Sequence, residues 1–424
     1  MASRYPALRV LKHQCGKWLA TSVLLIGALS APSGARADIV PDWNLITANA
    51  LQTAKAGTGL AHSRVYAMVH GAMFDAVNAV DRRYHPYAAD LKAPPGACPD
   101  AAAAVAAHAV LMELFPRQQA TLDAALAESL AKVQDCESKA DGVALGKAAA
   151  EKMLALRRND KMSQKPTYTA KSGPGTFQMP ADASPIGPHW GSVTPFTLKS
   201  VEHFRFPGPP PLASVRYAQE FDEVKALGAK NSTQRTAEQT AIALLWQPTS
   251  PITYNAMLRT MPEVKQRSLV EQAWVFALMN MAASDAFIVG WREKYQIQFW
   301  RPETAIRNAE SDGSDATSAD VTWEGLISPF PAHPEYPSGH ALFTGVMETV
   351  LRDFFGADRI SVTTTNPDRK ITRTFASFSE IAKSVEDARV WAGIHFRSAD
   401  IAGTAMGRRI AEYALKNCMQ PIAN

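Results

Sequence analysis

Apolar residues recur three or four positions apart along most of this 424-residue chain, which is the spacing that places them on one face of an α-helix. The longest such pattern runs from Ser268 to about Lys294, and its most apolar part, residues 272–284, is too short to span a bilayer and predicts a buried core helix. No clear run shows the two-residue alternation of a strand. The sequence therefore predicts an all-α fold. The helical patterns cover residues 63–80, 101–115, 118–133, 139–157, 236–246, 268–294, 339–355, 376–391 and 401–416.

An irregular stretch separates two groups of these patterns. Residues 162–213 are rich in Pro, Gly, Ser and Thr, and a loop of this length is either functional, as a lid is, or a linker. The sequence leaves both open. We predict an N-terminal helical part at 38–161, a connecting loop at 162–213 and a C-terminal helical bundle at 214–424. Because 46% of the residues are hydrophobic and 20% charged, the chain can bury a large core, which excludes disordered and coiled-coil proteins.

The first 37 residues have the three-part pattern of a secretory signal peptide. A basic start reaches Lys17, an apolar stretch follows from Trp18 to Ala31, and Ala35-Arg36-Ala37 offers a cleavage site. We predict Sec-type export to the periplasm or beyond, with cleavage after Ala37. An uncleaved membrane anchor is the alternative, whereas cleavage would leave no stable membrane insertion.

The net charge of +4 comes from this same segment. Residues 1–37 hold five basic residues and no acidic one, so their removal leaves 39 basic against 40 acidic residues, or −1. A nearly neutral chain argues against binding to nucleic acid or another polyanion.

Three cysteines remain after residue 37, namely Cys98, Cys136 and Cys418. Export permits disulfides, and Cys98 with Cys136 is one plausible pair, but three cysteines cannot all pair within one chain. No Cys-x-x-Cys spacing occurs, which disfavours cysteine-based zinc or redox chemistry.

The segment Pro337-Ser338-Gly339-His340 is typical of a helix start that binds an anion. Ser338 suits the N-cap position, and Gly339 lets its amide approach a ligand closely. The free amides and the dipole at a helix N-terminus attract negative charge, and His340 can exchange protons near neutral pH. A simple capped helix with an exposed histidine would also explain the segment.

Two further clusters are weak by themselves. Lys294 and Arg301 are two cations seven residues apart, and a helix through Lys294 should end near Trp300 because Arg301 precedes a proline. Arg389 and His395 add another cation and another histidine. Each alone suits surface charges or a core histidine. Together with the helix start at 338, the three cations and two histidines suit a tetrahedral oxyanion of several charges.

The ordered set Lys294-x6-Arg301-Pro302, Pro337-Ser338-Gly339-His340 and Arg389-x5-His395 resembles the signature of the vanadium-dependent haloperoxidase and type 2 phosphatidic-acid phosphatase superfamily. The chain is most similar to its secreted bacterial haloperoxidase-like branch. The resemblance implies two helical bundles and a site for vanadate or phosphate. It also implies hydrogen peroxide and halide, or a phosphate monoester, as substrates, and it leaves room for a homodimer.

The resemblance also implies a role for each site residue. His395 would be the axial ligand of the vanadium in vanadate, or the nucleophile that forms phosphohistidine, and His340 would be the acid and base. Lys294 would also polarise peroxide. The groups implied to hold the equatorial oxygens are Lys294, Arg301, Ser338, the Gly339 amide and Arg389.

Two positions near these motifs modify the expectation. His333 stands where the resemblance places Phe in chloroperoxidases and His in bromoperoxidases, which favours bromide or iodide; a loop histidine packed by two prolines is the alternative. The family commonly has Asp four residues after its second histidine, where this chain has Ala399. Asp400, one position later on a helix, points about 100° away, so we expect it to miss the ring and His395 to rely on Ser398, a carbonyl or water.

Three hypotheses follow. The first is a vanadate-dependent haloperoxidase, and the alternative is a soluble acid phosphatase that acts through phosphohistidine at His395. The third is a non-catalytic oxyanion-binding protein, supported only by Ala399 and opposed by the presence of His340.

Overall fold

The computed structural model describes residues 38–133, 136–165 and 167–422. The predicted signal peptide at 1–37 lies outside these residues. The fourteen helices of the described residues are α1 (Ile39–Thr53), α2 (Gly59–Val80), α3 (Pro99–Leu114), α4 (Gln119–Lys132), α5 (Lys139–Arg157), α6 (Val215–Leu227), α7 (Ala237–Leu245), α8 (Ser250–Thr260), α9 (Pro262–Lys265), α10 (Leu269–Ile297), α11 (Pro302–Arg307), α12 (Gly339–Phe355), α13 (Phe378–Trp391) and α14 (Arg397–Asn417).

The predicted all-α fold is confirmed, except for one short hairpin. Strands β1 (Val362–Asn366) and β2 (Ile371–Phe375) pair antiparallel, with Val362 opposite Phe375. The prediction that no strand is present is wrong here because the inward positions of β1 include Thr364 and Asn366, which give no hydrophobic alternation.

The hydrophobic pattern does not predict helices α1 and α8, because both helices bury polar residues. The Asn44 amide nitrogen lies 2.7 Å from Asn255 Oδ1 and 2.7 Å from Nε2 of His70. Asn255 in turn donates to Asn280 Oδ1 at 2.7 Å. All four side chains are buried, so this network of hydrogen bonds connects α1 and α8 to α2 and α10.

Helix α10 is the centre of the molecule. By length and composition it could cross a membrane, but its entire apolar window is buried inside the protein, as expected of a core helix. A capping box of Ser268 and Glu271 begins it. Helix α2 packs against α10, and so do α12 and α14. One continuous hydrophobic core therefore joins the N-terminal and C-terminal helices.

The irregular stretch between Arg157 and Val215 is bound to this core. The buried carboxylate of Asp285 on α10 accepts hydrogen bonds from the backbone amides of Phe196, Thr197 and Leu198 at 2.6–3.1 Å. Farther back, the Ile186 amide donates to the Ala332 carbonyl at 2.9 Å. These bonds place the stretch against α10 and against the loop that precedes α12; the predicted boundary positions at 162 and 213 stay a prediction.

Helices α12 and α14 approach each other closely through glycines. A Cβ atom at Gly345 would overlap the Thr404 carbonyl, and one at Gly403 would lie 2.7 Å from the Ser338 carbonyl oxygen. At the same crossing the Ser338 amide donates to the Ala399 carbonyl at 3.0 Å. The crossing thus brings the start of α12 next to the segment that carries His395.

The three cysteines of the described chain are free thiols. Cys98 and Cys136 lie within hydrogen-bonding reach of each other, and burial raises the pKa of Cys98 to about 11. Their pairing in a disulfide stays a prediction.

Candidate oxyanion site

The three sequence clusters converge on one cavity. Its volume is about 440 Å³, and Gly339, His340, Arg389, His395 and His333 all line it. The remaining predicted residues, Lys294, Arg301 and Ser338, are fully buried and join the site through the contacts described below.

The cations of the first cluster reach the site from two different elements. Helix α10 ends at Ile297, and Gln298 is left-handed with φ 58°, so the prediction that the helix ends near Trp300 is wrong by three residues. Lys294 lies in its last turn and Arg301 is the N-cap of α11. The two side chains converge because the successive backbone carbonyls of residues 333–335, in one loop, accept hydrogen bonds from both. Lys294 Nζ donates to the carbonyls of residues 334 and 335, each at 2.8 Å, and Arg301 Nε to that of residue 333 at 3.0 Å.

The contacts of His395 determine its tautomer. Arg301 Nη1 lies 3.2 Å from Nε2 of the ring, and a guanidinium can only donate, so Nε2 carries no proton. The proton of the neutral ring must therefore be on Nδ1, which lies 2.8 Å from Glu335 Oε1. His395 thus offers a free Nε2 lone pair beside a guanidinium, as a ligand or nucleophile requires.

Glu335 corrects the expectation drawn from Ala399. Its Oε1 accepts from His395 Nδ1 at 2.8 Å and from the Phe396 amide at 3.0 Å, so His395 does have an orienting carboxylate. The expectation that the ring relies on Ser398, a carbonyl or water is wrong, because the carboxylate comes from the loop before α12 rather than from α14. The only support for the non-catalytic hypothesis is thereby removed.

Asp400 does not bond the ring, as expected, and lies instead next to Ser338. Burial raises the pKa of Asp400 well above its ordinary value, while the Ser338 hydroxyl and Arg397 oppose the rise. The Ser338 hydroxyl faces the Asp400 carboxyl, whereas Nε of Arg389 makes no hydrogen bond. Arg389 Nε is therefore a buried donor at the predicted anion site without a protein acceptor among the described residues.

His340 stands in the first turn of α12, whose N-cap is Ser338 as predicted. Its Nε2 lies 3.0 Å from the Pro248 carbonyl. Since a carbonyl can only accept, Nε2 carries the proton and Nδ1 is the acceptor of the neutral ring. Burial, and then the nearby Arg389, lower the pKa of His340 to about 3, so the ring is neutral and its Nδ1 can accept a hydrogen bond.

His333 is a site residue rather than a loop histidine packed only by prolines. Its Nδ1 lies 3.0 Å from Arg301 Nη2, and its ring centre is 5.0 Å from that of Trp291. Trp291 also lies 5.4 Å from Lys294 Nζ, because residues three apart share one face of α10. One indole therefore contacts both the histidine and the lysine of the site.

The electrostatics of the site call for a bound anion. Burial lowers the pKa of Lys294 well below its ordinary value and brings those of Arg301 and Arg389 to about 10. Burial likewise raises the pKa of the neighbouring Glu335 to about 8, so the carboxylates compensate the three cations poorly. An oxyanion of several charges would supply both the missing negative charge and an acceptor for Arg389 Nε. Within the described residues, no three His, Cys, Asp or Glu side chains converge on a metal cation.

Sequence reasoning missed two residues of this site. Glu335 lies two residues before Pro337, where no local pattern marks it as the partner of His395. Trp291 lies three residues before Lys294, so helical spacing alone could have assigned it to the same face.

Comparison with known proteins gives matches in sequence and in fold. Residues 274–424 match the family model of the VCPO second helical-bundle domain. The chain is 30% identical to the vanadium chloroperoxidase of Curvularia inaequalis over an alignment of 200 residues, which covers 40% of this chain. The match spans about a third, 32%, of that relative's length.

Solved structures resemble almost the whole chain. A bacterial vanadium-dependent iodoperoxidase superposes with a TM-score of 0.78 at 23% identity, covering 91% of this chain and 97% of that one. The apo form of a bacterial vanadium-dependent chloroperoxidase gives 0.66 at 18% identity, covering 83% and 91%. Residues 274–424 thus match the VCPO second helical-bundle domain, and the described chain shares its fold with bacterial vanadium-dependent haloperoxidases.

Proposed function

We propose that the chain is a vanadate-dependent haloperoxidase that oxidises halide with hydrogen peroxide. The observation that carries the proposal is the Nε2 lone pair of His395, which lies 3.2 Å from Arg301 Nη1 in a ring that Glu335 orients. Burial lowers the pKa of this ring, and so do Arg301, Lys294 and Arg389. Oxyanion chemistry explains this arrangement, since the cations would otherwise be buried without a matching charge. The family match over residues 274–424 supports the choice of vanadate.

The residues of the site fit vanadate. His395 Nε2 would be its protein ligand, with Lys294, Arg301, Arg389, the Ser338 hydroxyl and the Gly339 amide as charge and hydrogen-bond donors. Vanadate supplies a Lewis-acidic centre that activates peroxide toward halide without a change of oxidation state.

The protein side of the reaction then lies in positioning and proton transfer. Glu335 keeps the proton of His395 on Nδ1, so that Nε2 stays available. The three cations hold oxygens in place and stabilise negative charge on them. His340 is neutral with Nδ1 as its acceptor. The negative charge of a bound oxyanion would offset Arg389 and raise the pKa of the ring, so that Nδ1 would take the proton that peroxide loses and return it to the leaving water.

We extend the proposal to bromide or iodide in preference to chloride. His333 places a polar ring in the cavity wall, against Trp291 and Arg301. A bacterial vanadium-dependent iodoperoxidase is among the proteins with a similar fold. The preference is measured by comparing kcat/KM for the three halides in the wild type and in His333→Phe, which should shift it toward chloride.

A phosphatase acting through phosphohistidine is the second candidate. The same Nε2 lone pair, oriented by a carboxylate, suits nucleophilic attack on phosphorus, and phosphate requires the same donors as vanadate. The tautomer of His395 is the specific observation that favours it.

One pair of assays separates the candidates. Purified protein receives vanadate, peroxide and bromide with a bromination dye, and then p-nitrophenyl phosphate without vanadate. We expect bromination that depends on vanadate, is lost in His395→Ala and is kept in His203→Ala, which changes an exposed histidine. Phosphatase activity without bromination would overturn the proposal in favour of the second candidate. Oxyanion binding without either activity would support a binding protein.

We also propose export through the segment 1–37. N-terminal sequencing of the protein recovered from the periplasm or the medium should begin at Asp38. A protein retained in the membrane with an intact N-terminus would instead show that the segment is an anchor.

A further inference from the structure

The cavity above the oxyanion site is much larger than halide and peroxide require. Its volume of about 440 Å³ falls in the range of roughly 300–1,000 Å³ typical of sites for small organic molecules. Much of its wall is apolar, and we call this part the vestibule. The vestibule is lined by Leu60, Ile186, Phe287, Trp291, Ile327 and Ile394.

The shape of the vestibule is fixed by contacts outside the reaction. Trp291 Nε1 donates to the Ile186 carbonyl at 3.1 Å, which holds the indole and the irregular stretch together. Gly187 has φ 64°, and a side chain there would lie 2.5 Å from Leu60 Cδ1. At Gly339 a Cβ atom would lie 3.0 Å from the Trp291 ring. The wall is therefore preformed, as in sites that bind organic ligands.

Polar groups are concentrated where the predicted chemistry takes place. Arg389, His340 and His395 line the same cavity as the aromatic rings of Phe287 and Trp291. A ligand with an aromatic body and one oxygen would fit both the apolar and the polar part of the cavity. Its ring would lie against Phe287 and Trp291, and its oxygen would point toward the guanidinium of Arg389. A phenol-type molecule has this chemistry, and it is also an electron-rich target for halogenation.

We propose that the vestibule binds a phenol-type aromatic acceptor of one or two rings, which is halogenated inside the cavity. The inference rests on the proposed haloperoxidase function. The balanced reaction is R–H + X⁻ + H⁺ + H₂O₂ → R–X + 2 H₂O, in which peroxide is reduced and halide is oxidised. A carbon–halogen bond replaces the carbon–hydrogen bond, whose proton ends in water. The acceptor held by the wall receives the oxidised halogen before it reaches bulk water.

Binding is tested first, without any chemistry. 1-Naphthol is titrated into vanadate-free protein, and its fluorescence reports binding. We expect saturable binding that Ile186→Trp weakens roughly tenfold or more, because the added indole would fill the space of the ligand. Leu156→Trp is the matched control, since Leu156 is 51% exposed on α5. The absence of saturable binding to the wild type would overturn the proposal.

The site of halogenation is tested second, on the vanadate-loaded protein. The ratio of 2-bromo-1-naphthol to 4-bromo-1-naphthol is compared with that from reagent hypobromous acid. We expect a different ratio from the wild type and the reagent ratio from Ile186→Trp. Bromination by the wild type at the reagent ratio would overturn the proposal while leaving the haloperoxidase function intact. Saturable binding without any bromination would keep the acceptor site and overturn the proposed function. The product ratio given by the wild type tests the proposal even if Ile186→Trp does not fold.

Discussion

Replacement of Glu335 by alanine should weaken the binding of vanadate but not that of phosphate. The variant loses the acceptor of His395 Nδ1–H and of the Phe396 amide. The ring can then place its proton on either nitrogen and can turn, so Nε2 is less available as a ligand. Above pH 8, where Glu335 is ionised, the same change also removes a negative charge from beside Lys294 and Arg301.

The magnitude follows from the lost hydrogen bond. A buried hydrogen bond to a charged group contributes about 1.5–3 kcal/mol, and each 1.4 kcal/mol corresponds to about a tenfold change in affinity. Vanadate, which needs the Nε2 ligand, should therefore bind about 10–100-fold more weakly. This agrees with the roughly 10–100-fold effect of removing the partner of a ligating histidine. Non-covalently bound phosphate uses the same cations and hydrogen-bond donors but needs no bond from Nε2, so its affinity should not fall, and above pH 8 it should rise.

Equilibrium dialysis of the vanadate-free protein against micromolar vanadate, and separately against phosphate, gives both dissociation constants. Glu335→Gln keeps a carbonyl acceptor for Nδ1–H and should retain most of the vanadate affinity. Glu324→Ala removes a surface carboxylate and should change neither constant. If Glu335→Ala weakens both anions equally, a general collapse of the site accounts for the result. If it weakens neither, Glu335 does not orient His395.

Three further predictions concern other parts of the molecule. Arg301→Lys should weaken oxyanion binding about 10–100-fold in the same dialysis, because an ammonium cannot reproduce the planar fork; unchanged binding would mean that only charge matters. Gly345→Ala, whose Cβ would overlap the Thr404 carbonyl, should lower the free energy of unfolding in urea by about 1–3 kcal/mol. The control Arg409→Ala, on the exposed face of α14, should lower it by less than about 0.5 kcal/mol. Burial lowers the pKa of His70 from 6.5 to about 3. Below pH 6.5 the unfolded chain therefore binds a proton at this ring that the folded protein does not bind. As a result, about 2 kcal/mol of the free energy of unfolding is lost by pH 5. His70→Gln should flatten this acid slope in unfolding midpoints measured from pH 7 to 5, and an unchanged slope would refute the assignment.

Much of the fold could be predicted because most helices carry their signal locally. Helices α5 and α12 begin and end where the pattern places them, and the capping box of α7 is read directly from Thr236 and Gln239. Helix α8 could not be found in this way, because Asn255 on its buried face is satisfied by residues distant in sequence. Local pattern cannot report a hydrogen bond whose partner is far along the chain.

The candidate site could also be predicted only in part, because some of its contacts join residues that are distant in sequence. The ordered spacing of the three clusters is visible in sequence, and the structure places their histidines and Arg389 in one cavity. The partner of His395 is not visible, because Glu335 acts across 60 residues of sequence. The spacing rule for an orienting Asp assumes that the partner comes from the helix that follows the histidine. Here a loop that follows a different helix supplies the carboxylate.

The loop formed by residues 333–335 limits how this site can evolve. One short loop sets the positions of Lys294 and Arg301 through its backbone and that of His395 through a side chain. Substitutions on its outer side can accumulate freely, but an insertion or deletion would displace all three groups at once. The length of the loop should therefore be inherited with the site, and an exchange between related chains would have to carry residues 331–339 together with residues 395–417.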